Sequence, residues 1–264
     1  MTPTQAAHTV VSKQEWLQAR KALLEQEKAL TRQRDEVSRR RRELPWEKVE
    51  KDYVFDGPQG RVPLADLFAG RSQLIIYHFM LGANWEEGCK SCSYLADHFD
   101  ATRIHLAHRD VTLAVVSQAP MARIAAFQKR MGWQFPWVSA FSNSFQSDYG
   151  VHFTKEQVAG EVEYNYAKTR FPVEEAPGLS VFYKDASGQI FHTYSTYARG
   201  LDALVGTYQF LDLVPKGRDE EGLAFSMAWV RHHDRYGDDY MLDPKAGYTP
   251  PREMGSCHEH KAGS

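Results

Sequence analysis

Cys89-Lys90-Ser91-Cys92 places two thiols three positions apart. At the start of a helix that spacing lets the second sulfur reach the first, so a mixed disulfide formed at Cys89 can be resolved by Cys92. The thiolate is the reactive form, and free amides at a helix start favour it. Lys90 adds local positive charge, whereas Glu86 and Glu87 oppose it. The same residues admit other chemistry. Two soft thiolates with one histidine, such as Cys89, Cys92 and His232, suit copper. Zinc needs two more ligands, and no second CxxC exists in the chain. The inert reading is a pair of helix cysteines that only pack. Context separates these readings, because a CxxC directly after a buried strand in an α/β pattern signals redox exchange.

Other residues are candidates in support. His232 and His233, with Asp234, can bind a metal or bring a general base to Cys89, or simply cap a C-terminal helix. Trp85 can form a rim beside the dithiol for a partner, or pack in the core. Asp97 follows Cys92 on the same expected helix, where a buried carboxylate could relay protons and an exposed one would do nothing. Tyr194 to Tyr197 end a strand near the sheet's edge, where they can face a substrate or simply follow strand propensity. Cys257-His258-Glu259-His260 resembles a chelating group, but its place in a polar tail predicts adventitious binding.

The elements that must position the dithiol are legible. Leu74 to Met80 is a nearly continuous apolar run, the pattern of a central parallel strand covered on both faces. A loop with Gly82, Asn84 and Gly88 leads to Cys89. Val111 to Val116 is a second buried strand. Pro120 opens a helix whose Ile124, Phe127 and Met131 share one face, and Gly132 ends it. Ser180 to Tyr183 and Ile190 to Tyr194 flank Asp185-Ala186-Ser187-Gly188 as an antiparallel hairpin. Leu201, Leu204, Val205, Tyr208 and Leu211 fall on one face of a further helix. A helical piece is expected around Phe225 to His232. The order strand, helix, strand, helix, hairpin, helix predicts an α/β fold with a mixed sheet between two helix layers.

Before this body, Ser12 and Glu15 fit a capping box that opens one long helix. Trp16, Leu23, Leu30, Val37 and Leu44 recur every seventh residue, a stripe too thin for a coiled coil but suited to packing on the body or on a second copy. Residues 1–44 hold ten Lys/Arg against six Asp/Glu and carry +4, which leaves −6 for the rest of a chain of net charge −2. Arg39 to Arg42 are read as a solvated helix face, so no nucleic acid is expected. The 264 residues are 42% hydrophobic and 25% charged, the profile of a globular protein and not of a disulfide scaffold. No apolar run approaches the roughly 20 residues of a membrane helix, so no membrane association is expected. The N-terminus lacks a secretory pattern, which makes the cytoplasm the expected compartment.

Longer blocks resemble a known family. EKDYVF (Glu50 to Phe55), YHFMLGANWEEGCKSCS (Tyr77 to Ser93), LAHRDVTLAVVS (Leu106 to Ser117), RMGWQFPWVS (Arg130 to Ser139), GLSVFYKD (Gly178 to Asp185), FHTYSTYARG (Phe191 to Gly200) and WVRHHDRYG (Trp229 to Gly237) are similar to the thioredoxin-like family catalogued as domain of unknown function 899. Its members are described as predicted dithiol-disulfide oxidoreductases with peroxiredoxin-like relatives. The resemblance implies a thioredoxin-like fold and redox activity at Cys89 and Cys92, and it names no substrate. Departures matter too. Gly88 stands where thioredoxins place Trp, and Glu86 stands where peroxiredoxins place the Thr that orients a peroxide. Pro177 lies near the position of the thioredoxin cis-proline.

The expectation is therefore a flexible N-terminus (1–11), a long amphipathic helix (12–46), a thioredoxin-like domain (47–214) and a C-terminal extension (215–264) whose last roughly 15 residues are disordered. The expected activity is thiol-disulfide exchange, with Cys89 as nucleophile and Cys92 as resolving thiol, supported by Trp85, Lys90, Asp97, His232 and His233. It needs no cofactor and takes a thiol or disulfide, protein or small molecule, as partner. A thiol peroxidase and a copper-binding module are the alternatives, and a homodimer is compatible with the long helix.

Overall fold

A computed structural model describes residues 8–237. The described residues form two units, divided between Pro45 and Trp46. In the first, helix α1 (Lys13–Arg42) opens on the expected capping box. Glu15 N–H donates to Ser12 Oγ at 3.3 Å, and Ser12 N–H donates to Glu15 Oε2 at 2.9 Å. The arginine run ends the helix, where cations suit its dipole. Glu36 pairs with Arg39 at 2.8 Å and with Arg40 at 2.7 Å.

The second unit runs β1 (Glu47–Lys48), β2 (Val54–Gly57), β3 (Gly60–Pro63), α2 (Leu64–Leu67), β4 (Gln73–His78), α3 (Lys90–Ala96), α4 (Phe99–Ala107), β5 (Val111–Ser117), α5 (Met121–Met131), β6 (Trp137–Ser139), α6 (Phe145–Asp148), α7 (Lys155–Val158), β7 (Val162–Tyr164), β8 (Ala167–Thr169), β9 (Gly178–Lys184), β10 (Ile190–Tyr197) and α8 (Gly206–Leu211). Eight strands form one sheet in the order β1-β10-β9-β4-β5-β6-β2-β3, and β7 and β8 pair on their own. β4, β5 and β6 are parallel, whereas β9 is antiparallel to both β4 and β10. The central order β10-β9-β4-β5, with α3–α4 and α5 as crossovers, is the thioredoxin-like topology, widened by β6, β2 and β3 on one side and β1 on the other.

Strand alternation divides the core. Tyr77, Phe79, Leu113, Val115 and Leu179 pack with the cysteines and with α3, α4 and α5. Leu74, Ile76, Ala114, Val116 and Phe182 pack on the opposite face with Phe55 and Phe145. α5 begins after Pro120, buries Ile124, Phe127 and Met131, and ends at Gly132 with φ 70°. The β9–β10 turn is held by Asp185 Oδ1, which accepts from the N–H of Ser187 and of Gln189 at 2.9 Å each.

Three expected elements differ. The helix after the cysteines is two helices, because α3 stops at Asp97 and α4 starts after His98. The expected helix over Leu201 to Leu211 is a 3-10 segment (Ala198–Leu204) and then α8, separated by Val205 at φ −87° and ψ 90°. The His98 ring accepts from an amide in the first turn of α8, Thr207 N–H, at 3.1 Å. No helix covers Phe225 to His232. There the Glu220 carboxylate accepts from Met227 N–H at 2.9 Å and from Trp229 Nε1 at 2.7 Å, and Met227 has φ 66°, so side-chain bonds replace a helical ladder.

The segment 142–177 carries α6, α7 and the β7–β8 hairpin. It encloses a small core of Val151, Phe153, Val162, Tyr164, Ala176 and Tyr197, closed by the His152–Glu175 bridge. The peptide before Pro177 is trans, as are all the described peptides. The Cys257-His258-Glu259-His260 group lies outside the described residues.

Candidate functional site

Cys89 is the N-cap residue of α3, and its own N–H donates to Met80 O at 3.0 Å, tying the end of the loop to the end of β4. Its carbonyl accepts from Ser93 N–H and Ser93 Oγ, each at 2.9 Å. Both thiols are free and buried, Cys89 6% exposed and Cys92 1%. They differ in character. The Cys92 thiol donates to the Cys89 sulfur, and with the N–H groups of Cys92 and Ser91 and the charge of Lys90 it overcomes burial and lowers Cys89 from 9.0 to about 7. Burial, and then the neighbouring Cys89 sulfur, push Cys92 well above the ordinary thiol value. This is the asymmetry that a nucleophile and its resolving partner need.

Gly88 explains the missing tryptophan. A Cβ there would lie 2.5 Å from Phe79 Cε1 and 2.6 Å from Phe127 Cε1, so no side chain fits directly before Cys89. Trp85 is buried, not at a rim. Its indole covers Gly82, whose Cβ would be 2.9 Å from Trp85 Nε1, and its carbonyl accepts from Arg123 Nη1 at 3.1 Å. Lys90 is exposed.

The C-terminal segment clamps this loop. His232 is buried, and its Nε2–H donates to Gly88 O at 2.9 Å while Nδ1 accepts from Arg130 Nη2 at 3.2 Å. Burial lowers its pKa and keeps the ring neutral in that tautomer. Both nitrogens are thus occupied by partners other than sulfur, and the set Cys89, Cys92 and His232 is not assembled for copper. No group of three His, Cys, Asp or Glu able to hold a metal is found among the described residues. Glu87 accepts from Arg130 and Arg235 at 2.9 Å each. Burial would raise its carboxyl, but Arg130 and Arg235 hold it below the ordinary value. Asp97 caps α3 and accepts from Trp133 Nε1 at 2.8 Å and His233 Nδ1 at 2.7 Å. It braces the scaffold and has no described bond to sulfur.

The residue that the sequence did not single out is Tyr77. It lies on β4 beneath α3, 1% exposed, and its hydroxyl hydrogen-bonds the Cys92 sulfur. The available signal was a tyrosine inside an otherwise apolar strand, since a buried phenol needs a partner.

A recess of about 1000 Å³, lined by Tyr53, Tyr149, His152, His192 and Tyr197 among others, is not at the dithiol, which does not line it. Near it, on the other face of the sheet, His78 is wholly buried and its Nε2 meets Ser180 Oγ at 2.8 Å. Burial lowers His78 to about 4, so it is a neutral structural group.

The family model described as "Bacterial protein of unknown function (DUF899)" matches residues 5–236. The chain belongs to this family. A search of curated proteins found no match. Among solved structures, this DUF899 chain is similar to a peroxidoxin, BcpB, from Mycobacterium tuberculosis at 13% identity, covering 62% of this chain and 95% of that one with a TM-score of 0.42. It is similar to peroxiredoxin Q of Xanthomonas campestris at 14% identity, covering 61% and 95% with a TM-score of 0.42. A hypothetical protein from Sinorhizobium meliloti 1021 is similar at 15% identity, covering 66% and 86% with a TM-score of 0.38. The fold assignment of this DUF899 member rests on its sheet topology. Among the described residues no helix is long and apolar enough to cross a membrane.

Proposed function

We propose that this protein is a thiol-disulfide oxidoreductase working through Cys89 and Cys92. The reading is carried by the unequal pair: one thiol held at about 7 by hydrogen bonds and Lys90, and its partner held protonated beside it. The Cys89 thiolate attacks one sulfur of a disulfide, forms the Cys89–substrate bond and expels the other half as a thiolate, which takes a proton from solvent. Cys92 then attacks Cys89 Sγ. The Cys89–substrate bond breaks, the Cys92 proton leaves with the second substrate thiol, and the Cys89–Cys92 disulfide remains. Two electrons have passed from the dithiol to the substrate. An external thiol, protein or small molecule, returns them by the reverse steps.

Trp85, Gly88 and His232 support this chemistry by fixing the loop that ends in Cys89. The test is turnover of a small disulfide with a thiol reductant. Cys89→Ser should abolish it, and Cys92→Ser should stop it at a mixed disulfide. Full turnover in both variants would overturn the proposal.

A further inference from the structure

Cys92 has donors of its own, and they come from β4 and the residues just after it and not from the helix. Tyr77 shares the cysteine face of the sheet with Phe79. Its ring is packed edge-on against Phe79 at 6.2 Å and Phe99 at 5.2 Å between centroids. A ring fixed in this way aims its hydroxyl at one place, and that place is the Cys92 sulfur. The Met80 N–H, three residues along the chain, donates to the same sulfur. A buried sulfur resists ionisation, and the two hydrogen bonds offset part of that resistance at the atom where charge must develop.

We infer that Tyr77 is a catalytic residue of the resolving step, its hydroxyl and the Met80 amide together holding the Cys92 thiolate as it attacks the mixed disulfide at Cys89. The inference rests on the exchange reading above and assigns its second half to a residue outside the CxxC segment. In the resting dithiol the Cys92 proton points at the Cys89 thiolate. Once Cys89 is bonded to substrate sulfur, that acceptor is lost and the negative charge must develop on Cys92. Its proton passes to the departing substrate sulfur, the Cys92–Cys89 bond forms and the Cys89–substrate bond breaks. Tyr77 keeps its own proton throughout. Burial and the two neighbouring sulfurs disfavour the phenolate, so Tyr77 is a donor and not a base.

Tyr77→Phe keeps the ring and its contacts and removes only the hydroxyl. The assay uses the full chain carrying Cys257→Ser and dithiobis-nitrobenzoate as the disulfide. Attack by Cys89 releases one coloured thiolate, and resolution by Cys92 releases a second. Tyr77→Phe should leave the first phase within about twofold and slow the second roughly tenfold or more, as expected for loss of a hydrogen bond to a charged group. The slowed phase should recover as pH is raised. Tyr164→Phe serves as the control, because the Tyr164 hydroxyl accepts from Ala198 N–H at 3.0 Å and donates to Pro177 O at 2.7 Å. Its second phase should match the parent's. An unchanged second phase in Tyr77→Phe, or equal slowing in Tyr164→Phe, overturns the assignment while leaving thiol exchange standing. A parent protein that releases no second thiolate overturns both.

Discussion

Replacing Cys92 by alanine tests the cause assigned to the reactivity of Cys89. In the structure the Cys92 thiol is the largest influence lowering Cys89, ahead of the N–H groups of Cys92 and Ser91 and the charge of Lys90. The drop from 9.0 to about 7 is worth about 3 kcal/mol of preference for the thiolate, at about 1.4 kcal/mol per unit. A hydrogen bond to a charged acceptor contributes about 1.5–3 kcal/mol, or about one to two units. In Cys92→Ala the amides and Lys90 remain, so Cys89 should titrate at roughly 8–9. At pH of about 7 the thiolate fraction falls from about one half to between about 1% and 10%. A more basic thiolate is also a better nucleophile, by roughly threefold to tenfold over that range. The net rate at neutral pH should therefore fall only about twofold to eightfold, whereas the plateau at high pH should rise above that of the parent. The assay is the pH profile of the first attack on hydroxyethyl disulfide, quenched and read by mass in a Cys257→Ser background. A Cys92→Ala profile with its midpoint still near that of the parent would refute the reasoning, as would a plateau that does not rise.

Other expectations follow from the same contacts. Lys90→Met should raise the Cys89 midpoint by less than Cys92→Ala does, because the Lys90 charge acts on Cys89 more weakly than the Cys92 thiol, and thiol titration of the two variants ranks them. Gly88→Ala places a methyl against the Phe79 and Phe127 rings and should cost about 1–3 kcal/mol in urea denaturation, together with slower attack by Cys89. Asp148 is held below the ordinary carboxylate range, since burial would raise it but bonds from Lys51, Ser144 and Tyr53 lower it. A depressed carboxylate stabilises the fold above its unfolded pKa and loses that contribution as pH falls through the folded value. The urea midpoint of Asp148→Asn should accordingly fall less than the parent's as the medium is acidified, and parallel curves would count against the pairing.

Much of the frame was legible because it is local. Continuous apolar runs mark β4 and β5, Pro120 and Gly132 bound α5, and the Asp185 turn marks the β9–β10 hairpin. The dithiol was legible for the same reason, as two residues of distinctive chemistry at a strand-to-helix junction. What was not legible depends on partners distant in sequence. The Gly88 contacts with Phe79 and Phe127 exist only once α5 packs on β4. His232 suggested a base or a ligand, but its two nitrogens meet Gly88 and Arg130, residues 144 and 102 positions away in the chain. The apolar residues around Phe225 suggested a helix, until Glu220 captured the backbone and indole donors that a helix would have used differently. Tyr77 was hidden in plain strand pattern, since its ring belongs to the core and only its hydroxyl belongs to the site.

The most direct test of the central claim is the identity of the trapped sulfur. The Cys92→Ser chain, treated with oxidised glutathione at neutral pH and mapped by peptide mass, should carry glutathione on Cys89, while the parent should instead show the Cys89–Cys92 disulfide with no adduct retained. Glutathione absent from Cys89 in the variant, or a parent that never forms the internal disulfide, would contradict the account.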